Sequence, residues 1–570
     1  MLPVHRLPRR FVLAALTVVL AAACAAEPEN PASMVLLGGK VVTVDSTVPD
    51  GEGVAIKDGR ILAVGSDDEM RRYIGSETQV IELDGRLVIP GFIESHGHFM
   101  GVGEANTQLK LQDVANWGEI VAMAEYAARD IPVGRLIEGR GWHQEKWDEP
   151  PPGNVEGLPT HNSLSAVTPN NPVILAHASG HSSFANAKAM EMAGIDRSTP
   201  NPPGGEIVRD SAGNAIGVFR ETAQGLLRRA RADAAPVDPA LHAVLASQEA
   251  LSKGITTFVD AGSGFQTIDL FKRLVDHDSI GVRLWVMIRA GNDELGEKLD
   301  AYRTVGYADN HLTVRAIKVT IDGALGSHGA WLLEPYNDLP RSSGLNTRPI
   351  SSLQETAELA ATHDYQLCVH AIGDRANREV LDVYEAAFKA HPDNSDRRWR
   401  VEHAQHLNPA DIPRFGQLGV IASMQGIHAT SDGPWVEEKL GEQRAREGAY
   451  VWQSLMKSGA IIANGTDAPV EDVDPIASYY ASVSRMTVNG TRFYPDQAMS
   501  RMEALQSYTI NGAYAAFEDS LKGSLTPGKL ADITVLSKDI LTIPEEEIPT
   551  TEVEYTIVGG EVMYRKGESQ

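Results

Sequence analysis

Cysteine is nearly absent from this sequence, which contains only Cys24 and Cys368 among 570 residues. Cys24 falls in an N-terminal segment with the features of a signal, so we expect no intramolecular disulfide in the processed chain. Stability must then come from the hydrophobic core. Positive charge is also scarce, since 51 Lys and Arg stand against 76 Asp and Glu and the net charge is -25. Nucleic acid is therefore not expected as a partner. The composition carries no comparable signal for an oligomeric state.

Long apolar runs are scarce as well, and the longest lies close to the N-terminus. Several arginines precede residues 11–23, a run of 13 residues without charge that leads into Cys24. A transmembrane helix needs about 20 apolar residues, whereas a basic segment followed by a shorter apolar run is typical of a secretory signal. We expect residues 1–24 to form a signal peptide and residues 25–33 a linker. The protein is then exported, to the periplasm or the cell envelope.

The small residues around Cys24 allow two outcomes of that export. Cys24 resembles the lipidated cysteine of bacterial lipoproteins, which would tether the protein to a membrane. Simple cleavage after a small residue is the alternative.

Both ends of the remaining chain have the pattern of β structure. Within residues 34–84, two apolar segments flank Asp58-Gly59, a dipeptide typical of tight hairpin turns. Residues 521–570 repeat this pattern around Gly559-Gly560. These two regions are predicted to form one small β-sandwich from both ends of the chain.

The middle of the chain, residues 85–520, alternates short apolar segments with helix-like stretches. The strand candidates are residues 255–260, 282–288, 312–321, 366–371, 400–403 and 461–466. Such alternation is typical of parallel βα units, so we predict an α/β fold with a (β/α)8 TIM-type barrel. The region exceeds the about 250 residues of a typical barrel. The excess lies around residues 100–250, predicted to form a lid or loop insertion over the strand ends.

Histidines and other ligand-type residues fall near the ends of these strand candidates. His96 and His98 are two apart, so in a strand they face one side and can share a metal ion. His-x-His alone is a weak signal in a chain with 17 histidines. It gains weight from four further residues at later strand ends, which are Lys318, His370, His403 and Asp467.

The order of these motifs resembles the amidohydrolase superfamily, in particular its amidohydrolase 3 (YtcJ-like) branch, which includes N-substituted formamide deformylases. The resemblance extends from about residue 34 to about residue 565. Besides the ligand motifs, it includes residues 203–209, 254–257, 322–327 and 523–533.

This resemblance implies a centre with two divalent metal ions, expected to be Zn2+. His96 and His98 would bind one ion, and His370 and His403 the other. Lys318, carboxylated by carbon dioxide, would bridge them, since a protonated ammonium cannot be a ligand. Alternation in residues 317–321 supports this, because Lys318 faces away from the apolar side.

The implied reaction is hydrolysis of a carbon–nitrogen bond, other than a peptide bond, in a small molecule. Asp467 would ligate the first ion, take a proton from the activated water and return it to the departing nitrogen. Ester or lactone hydrolysis is an alternative, because the same hydroxide chemistry does not specify the leaving group. A non-catalytic lipoprotein of the cell envelope that binds a metal or solute is another.

Several single residues keep two interpretations. Lys318 could instead be a salt-bridged lysine of the barrel, and Cys368 is interpreted as a packing residue. Four residues could contact substrate or have structural roles, and these are His181, Trp142, Glu206 and His328.

Overall fold

The computed structural model of the protein describes residues 28–232 and 238–568. The predicted signal segment, with Cys24, lies outside the described residues. None of the helices in the described part combines the length and apolar character that crossing a membrane requires.

The strands follow one another in chain order as β1 (Met34–Leu37), β2 (Lys40–Val41), β3 (Gly53–Lys57), β4 (Arg60–Gly65), β5 (Gln79–Glu82), β6 (Leu87–Pro90), β7 (Phe92–Gly97), β8 (Leu109–Lys110), β9 (Ile137–Trp142), β10 (Val173–His177), β11 (Ser182–Ala185), β12 (Gly205–Arg209), β13 (Ala215–Glu221), β14 (Ile255–Ser263), β15 (Arg283–Ile288), β16 (Thr304–Gly306), β17 (Leu312–Thr320), β18 (Gln366–Ala371), β19 (Arg400–His403), β20 (Ile421–Gln425), β21 (Ile462–Gly465), β22 (Ile533–Leu536), β23 (Val553–Val558) and β24 (Glu561–Arg565).

The α-helices are α1 (Asp67–Met70), α2 (Phe99–Ala105), α3 (Trp117–Asp130), α4 (Asn162–Val167), α5 (Ala187–Ala193), α6 (Arg228–Ala232), α7 (Pro239–Ser252), α8 (Phe265–Asp276), α9 (Asn292–Tyr302), α10 (Tyr307–Asn310), α11 (Ile350–Thr362), α12 (Asp374–Ala390), α13 (Ile412–Leu418), α14 (Gly426–Leu440), α15 (Glu442–Gly448), α16 (Trp452–Lys457), α17 (Pro475–Ser484), α18 (Arg501–Ser507) and α19 (Ile510–Ala515).

The two ends of the chain meet in a β-sandwich. One sheet has the order β4-β3-β1-β5, and β3 and β4 form the hairpin predicted around Asp58-Gly59. The other sheet, in the order β2-β6-β22-β23-β24, joins two N-terminal strands to three C-terminal ones. One apolar cluster is shared by both sheets, with Leu36 and Ile56 from the first and Ile533 and Ile557 from the second. The predicted sandwich from both chain ends is confirmed.

Eight parallel strands form the predicted barrel in the order β7-β14-β15-β17-β18-β19-β20-β21. The last strand returns to the first, because the backbone N–H of Asp467 after β21 donates to the carbonyl oxygen of His96 in β7 at 2.7 Å. An apolar cluster inside the barrel includes Ile93, Trp285 and Cys368, together with Ala513 of α19 and Ala516 just after it. Cys368 is thus a packing residue. The predicted (β/α)8 TIM-type barrel is confirmed, nearly closed on itself.

Between β7 and β14 the chain builds a six-stranded sheet in the order β12-β13-β11-β10-β9-β8. Its own apolar cluster contains Trp117, Trp142, Trp147 and Phe184. Because this sheet has a separate core, it can hold polar side chains of its strand ends over the barrel mouth without weakening the barrel.

A buried ion pair joins the barrel to the sandwich. Arg283 at the start of β15 donates from Nε to Asp532 Oδ2 at 2.9 Å and from Nη2 to Oδ1 at 3.1 Å. Asp532 stands just before β22, and its Oδ1 also accepts from the backbone N–H of Gly559. Both side chains are nearly fully buried, so the pair is a bidentate contact of the kind that fixes orientation.

Candidate metal centre

Six side chains from the carboxyl ends of five barrel strands meet at one mouth of the barrel. His96 and His98 come from the end of β7, Lys318 from β17, and His370 from β18. His403 ends β19, and Asp467 follows β21. Five of the six line a cavity of about 730 Å³, and the sixth, His96, is fully buried behind it. This is the end of a barrel where active sites lie.

Asp467 lies against both histidines of the His-x-His motif. Its Oδ1 is 3.1 Å from His98 Nε2 and 3.5 Å from His96 Nε2. Despite this approach, Oδ1 is buried with no partner at hydrogen-bonding geometry in the described residues. One carboxylate oxygen and two ring nitrogens that converge in this way are the arrangement expected of ligands to a shared cation. These three side chains offer atoms close enough for one ion.

His370 and His403 form the second part of the cluster. Their ring centroids are 4.5 Å apart, and the ring of His403 is 4.7 Å from that of His96. His370 Nε2 is buried and lacks a hydrogen-bond partner in the described part of the chain. His428, from the first turn of α14, joins His403 and Asp467 in a second group able to hold an ion.

Lys318 adjoins the cluster at His96. Its Nζ is 3.3 Å from His96 Nε2, and the residue is 3% exposed. Burial lowers the pKa of Lys318 to about 8, while the charge of Glu402 opposes this and that of Arg289 adds to it. A larger fraction of the amine is therefore neutral near neutral pH than for an exposed lysine.

A carboxylate behind His96 orients its ring. Glu402 Oε2 contacts His96 Nδ1 in a fully buried pair, and Arg400 Nε lies 2.7 Å from Glu402 Oε1. With its proton on Nδ1 toward Glu402, His96 presents a lone pair on Nε2 to the cluster. His403 is oriented in the same way, because its Nδ1 lies 2.8 Å from the side-chain oxygen of Gln425.

The electrostatics of the cluster favour neutral imidazoles and an ionised aspartate. Burial, together with the charge of Lys318, lowers the pKa of His96 to about 4, and burial also holds the pKa of His370 and of His403 well below the usual range. Burial alone would raise the pKa of Asp467. The neighbouring histidines, of which His98 has the largest effect, instead hold this pKa well below its usual value. Neutral imidazole and carboxylate are the forms that bind divalent cations.

On the cavity wall, His181 and Glu221 of the insert form a pair above the cluster. His181 Nδ1 lies 2.9 Å from Glu221 Oε2, and the His181 ring is 5.8 Å from that of His370. Burial lowers the pKa of His181, but the hydrogen bond and charge of Glu221 outweigh it and the pKa is raised. Glu221 has φ 50° and ψ -125°, a backbone conformation that non-glycine residues rarely adopt. Strain of this kind is found where a site requires a side chain in one place.

The family is decided by comparison with known sequences. The sequence model of the amidohydrolase family matches residues 79–564. The chain belongs to the amidohydrolase family. It is accordingly a metal-dependent hydrolase of the amidohydrolase superfamily, as the resemblance of its motifs predicted.

Individual amidohydrolase relatives match this chain over nearly its whole length. It is 34% identical to the protein LONG AFTER FAR-RED 3 of Arabidopsis thaliana, over 94% of this chain and 92% of that protein. It is 28% identical to the N-substituted formamide deformylase of Arthrobacter pascens, over 94% of this chain and 98% of the relative. A solved structure of an uncharacterized metal-dependent hydrolase from Pyrococcus horikoshii matches with a TM-score of 0.73 and 25% identity, over 90% of this chain and 99% of that one.

The residues considered as substrate contacts lie in different surroundings in this amidohydrolase. His181 and His328 line the cavity, although His328 is bound to Asp338 at 2.8 Å. Trp142 borders the cavity but is fully buried, with its indole N–H donating to the carbonyl oxygen of Leu175. Glu206 does not line the cavity and instead pairs with Arg220 at 2.7 Å. Packing of the insert explains Trp142, and the ion pair explains Glu206.

Several residues of the site were missing from the sequence interpretation. They are Arg400, Glu402, Gln425, His428 and Glu221. Arg400 and Glu402 could have been noticed as opposite charges at alternate positions of a strand candidate, which face the same side and can form a buried pair. His428 lies outside the strand candidates, and Asp432 four residues later was given no weight as a partner ligand.

Proposed function

We propose that this amidohydrolase hydrolyses a carbon–nitrogen bond in a small non-peptide amide of the formamide type. The observation that carries the proposal is the convergence of six ligand-type side chains at the barrel mouth, with two buried ligand atoms left without hydrogen bonds. Similarity to a formamide deformylase over most of both chains supports an amide as the substrate class.

The proposed centre has two parts. His96, His98 and Asp467 would hold one divalent ion, and His370 and His403 a second. Lys318, carboxylated, would lie between them, and Zn2+ is the metal that imidazole and carboxylate ligands suit. When bound, such ions polarise a carbonyl group and make water acidic enough to ionise near neutral pH.

Asp467 is proposed to move the proton. Its Oδ1 faces the histidines of β7, so Oδ2 would accept a proton from the water as the new carbon–oxygen bond forms. The same proton would pass to the departing nitrogen as the carbon–nitrogen bond breaks, so that the amine leaves neutral. An aspartate with a pKa well below its usual value is ionised in the resting enzyme, as a base must be.

His181 is proposed to contact the carbonyl oxygen of the substrate. Its Nδ1 faces Glu221, which leaves Nε2 free to donate toward the cavity. Because the pKa of His181 is raised, the donating, protonated form is more populated near neutral pH. A donor aimed at an oxygen that gains negative charge stabilises the transition state.

A substrate panel tests the proposed function. Chain stripped of metal with a chelator and reloaded with zinc should release amine from N-substituted formamides, whereas the metal-free chain should not. Esters and lactones of similar size serve as comparison, since the alternative reaction predicts faster turnover of those. The proposal would be contradicted if the metal-free chain released amine as fast as the zinc-loaded chain. It would also be contradicted if the Asp467→Asn variant released amine as fast as the wild type.

A further inference from the structure

Two arginines on one wall of the cavity have no carboxylate partner. Arg289 follows β15, and Arg348 precedes α11; both line the cavity. The hydrogen bonds found for their guanidinium groups go to hydroxyl groups: Arg289 Nη2 donates to Thr320 Oγ1 at 3.4 Å, and Arg348 Nη1 to Ser352 Oγ at 3.3 Å. Neither forms a salt bridge within residues 28–232 and 238–568. Most of the donors of both guanidinium groups therefore remain for a ligand.

This wall is next to the proposed metal centre. A Cβ atom built on Gly262 would lie 3.1 Å from Arg289 Cδ and 3.3 Å from Lys318 Cγ, so both side chains pack against the same glycine. Arg289 and Arg348 line the same cavity, and the charge of Arg289 adds to the effect of burial in lowering the pKa of Arg348. Two guanidinium groups that line one cavity favour the binding of an anion there.

The other basic residues of the cavity wall are already satisfied. Arg220 pairs with Glu206, and Lys439 donates to Asp338 at 2.8 Å. Arg140 is directed at backbone, with Nε donating to the carbonyl oxygen of Pro469 at 3.0 Å. Arg289 and Arg348 differ in that their guanidinium groups form no salt bridge in the described part of the chain, although burial lowers the pKa of Arg289 and the charge of Asp260 acts against this.

We propose that Arg289 and Arg348 bind a carboxylate of the substrate, so that this amidohydrolase acts on an N-acylated, in particular N-formylated, amino acid. The inference rests on the proposed function for the reaction, but the anion site can be tested independently of it. Guanidinium groups bind carboxylates through paired hydrogen bonds. A doubly charged phosphate group fits less well, because Glu221, Asp322, Asp432 and Glu471 also line the cavity and would repel it.

The test compares N-formylalanine with its neutral isostere N-formylalaninamide. On the zinc-loaded chain, kcat/KM should favour the acid by about tenfold or more, the value of a charge-assisted hydrogen bond. Arg289→Gln and Arg348→Gln should each remove most of this preference by lowering kcat/KM for the acid and leaving it nearly unchanged for the amide. Arg220→Gln is the matched control: it removes an arginine of the same cavity that is already paired, and the preference should persist.

Binding is measured separately from turnover. Titration calorimetry in the Asp467→Asn background should show tighter binding of the acid than of the amide, and Arg289→Gln should abolish the difference. If neither compound is hydrolysed by the wild type, the proposed function fails, while calorimetry still decides on the anion site. Equal affinity for both compounds would overturn the inference. So would an Arg289→Gln variant that loses turnover of acid and amide equally, because Arg289 would then act on Lys318 and not on the substrate.

Discussion

At the scale of single residues, the chemistry of the site depends on which ring nitrogen of each histidine carries a proton. The contact of Glu402 with His96 Nδ1, and that of Gln425 with His403 Nδ1, leave Nε2 of both rings as an acceptor. Such outer partners orient ligands and raise their basicity. Glu402 itself stays ionised because burial, which would raise its pKa, is outweighed by Arg400 and then by His96, and the pKa is lowered.

We therefore expect Glu402→Gln to weaken zinc binding by about 10–100-fold. The matched control is Glu94→Gln, at another buried glutamate beside the cluster. Burial raises the pKa of Glu94 to about 8, so its side chain is largely protonated at neutral pH and glutamine is a close replacement. Competition with a fluorescent zinc chelator gives both affinities. Equal loss in the two variants would show that any change behind His96 has this effect, and would contradict a specific function of Glu402.

Lys318 gives a second residue-scale prediction. Lys318→Ala should lower kcat by about 100-fold or more, because the proposed bridging carbamate could no longer form. Formate or acetate should restore part of the turnover by supplying oxygen ligands. Lys318→Arg should stay inactive with either acid, since a guanidinium remains charged and cannot be carboxylated. Near-normal turnover with full metal content in Lys318→Ala would contradict the bridge.

The ligand-type residues could be predicted from sequence because strand alternation and order restrict where they lie. Their partners could not, because Glu402 contacts His96 across 306 positions of sequence. Arg289 and Arg348 pose the same difficulty: an unpaired arginine is recognised only when the surroundings of its guanidinium group are known.

At the scale of elements, the apolar strand candidates predicted most of the barrel, and β20 was the exception. β20 has only five residues, 421–425, and no recognisable motif follows it. The two polar residues that reach the site here are Gln425 at its end and His428 in the first turn of the next helix. The strands with ligand motifs were easier to recognise, since polar residues end their apolar runs. The insertion was predicted as a lid or loop region, and the structure shows that its residues form the sheet β8–β13. Its strands were hard to recognise in the sequence, because bulky Trp and Phe residues of the core replace a regular alternation of polar and apolar residues.

The strained conformation of Glu221 at the end of β13 leads to a prediction that separates stability from activity. Glu221→Gly should be more stable than Glu221→Ala by about 1–2 kcal/mol, because glycine adopts φ 50° and ψ -125° without a Cβ clash. Both variants should lose activity, since the raised pKa of His181 depends on the carboxylate. Urea unfolding and amine release measure the two quantities. A glycine variant no more stable than the alanine variant would show that the conformation costs nothing.

At the scale of the whole molecule, the ion pair of Arg283 and Asp532 connects the barrel to the sandwich built from both chain ends. Burial opposes ionisation of Asp532, but Arg283 outweighs it and the pKa of Asp532 is lowered. A depressed carboxyl pKa contributes stability that is fully present above the unfolded value of about 3.9 and is lost as pH falls below it.

Asp532→Ala should therefore destabilise the protein by about 3–5 kcal/mol at pH 7, because it leaves Arg283 buried and unpaired. The difference in unfolding free energy between wild type and variant should be constant from pH 5 to pH 7. This range lies about one pH unit or more above the pKa of Asp in the unfolded chain, so the carboxyl is ionised in both states. It should shrink as the pH falls below about 4. Urea unfolding at several pH values measures it, and a difference that grows toward low pH would contradict the sign of the shift.

The metal centre itself is tested most directly by diffraction from crystals of the zinc-loaded chain, with data collected on both sides of the zinc absorption edge. A centre with two ions and a carboxylated lysine predicts anomalous density between His96, His98 and Asp467, a second peak beside His370 and His403, and extra density extending from Lys318 Nζ toward both. Anomalous density that is absent from this cluster, or present only at other residues, would contradict a metal centre at the barrel mouth.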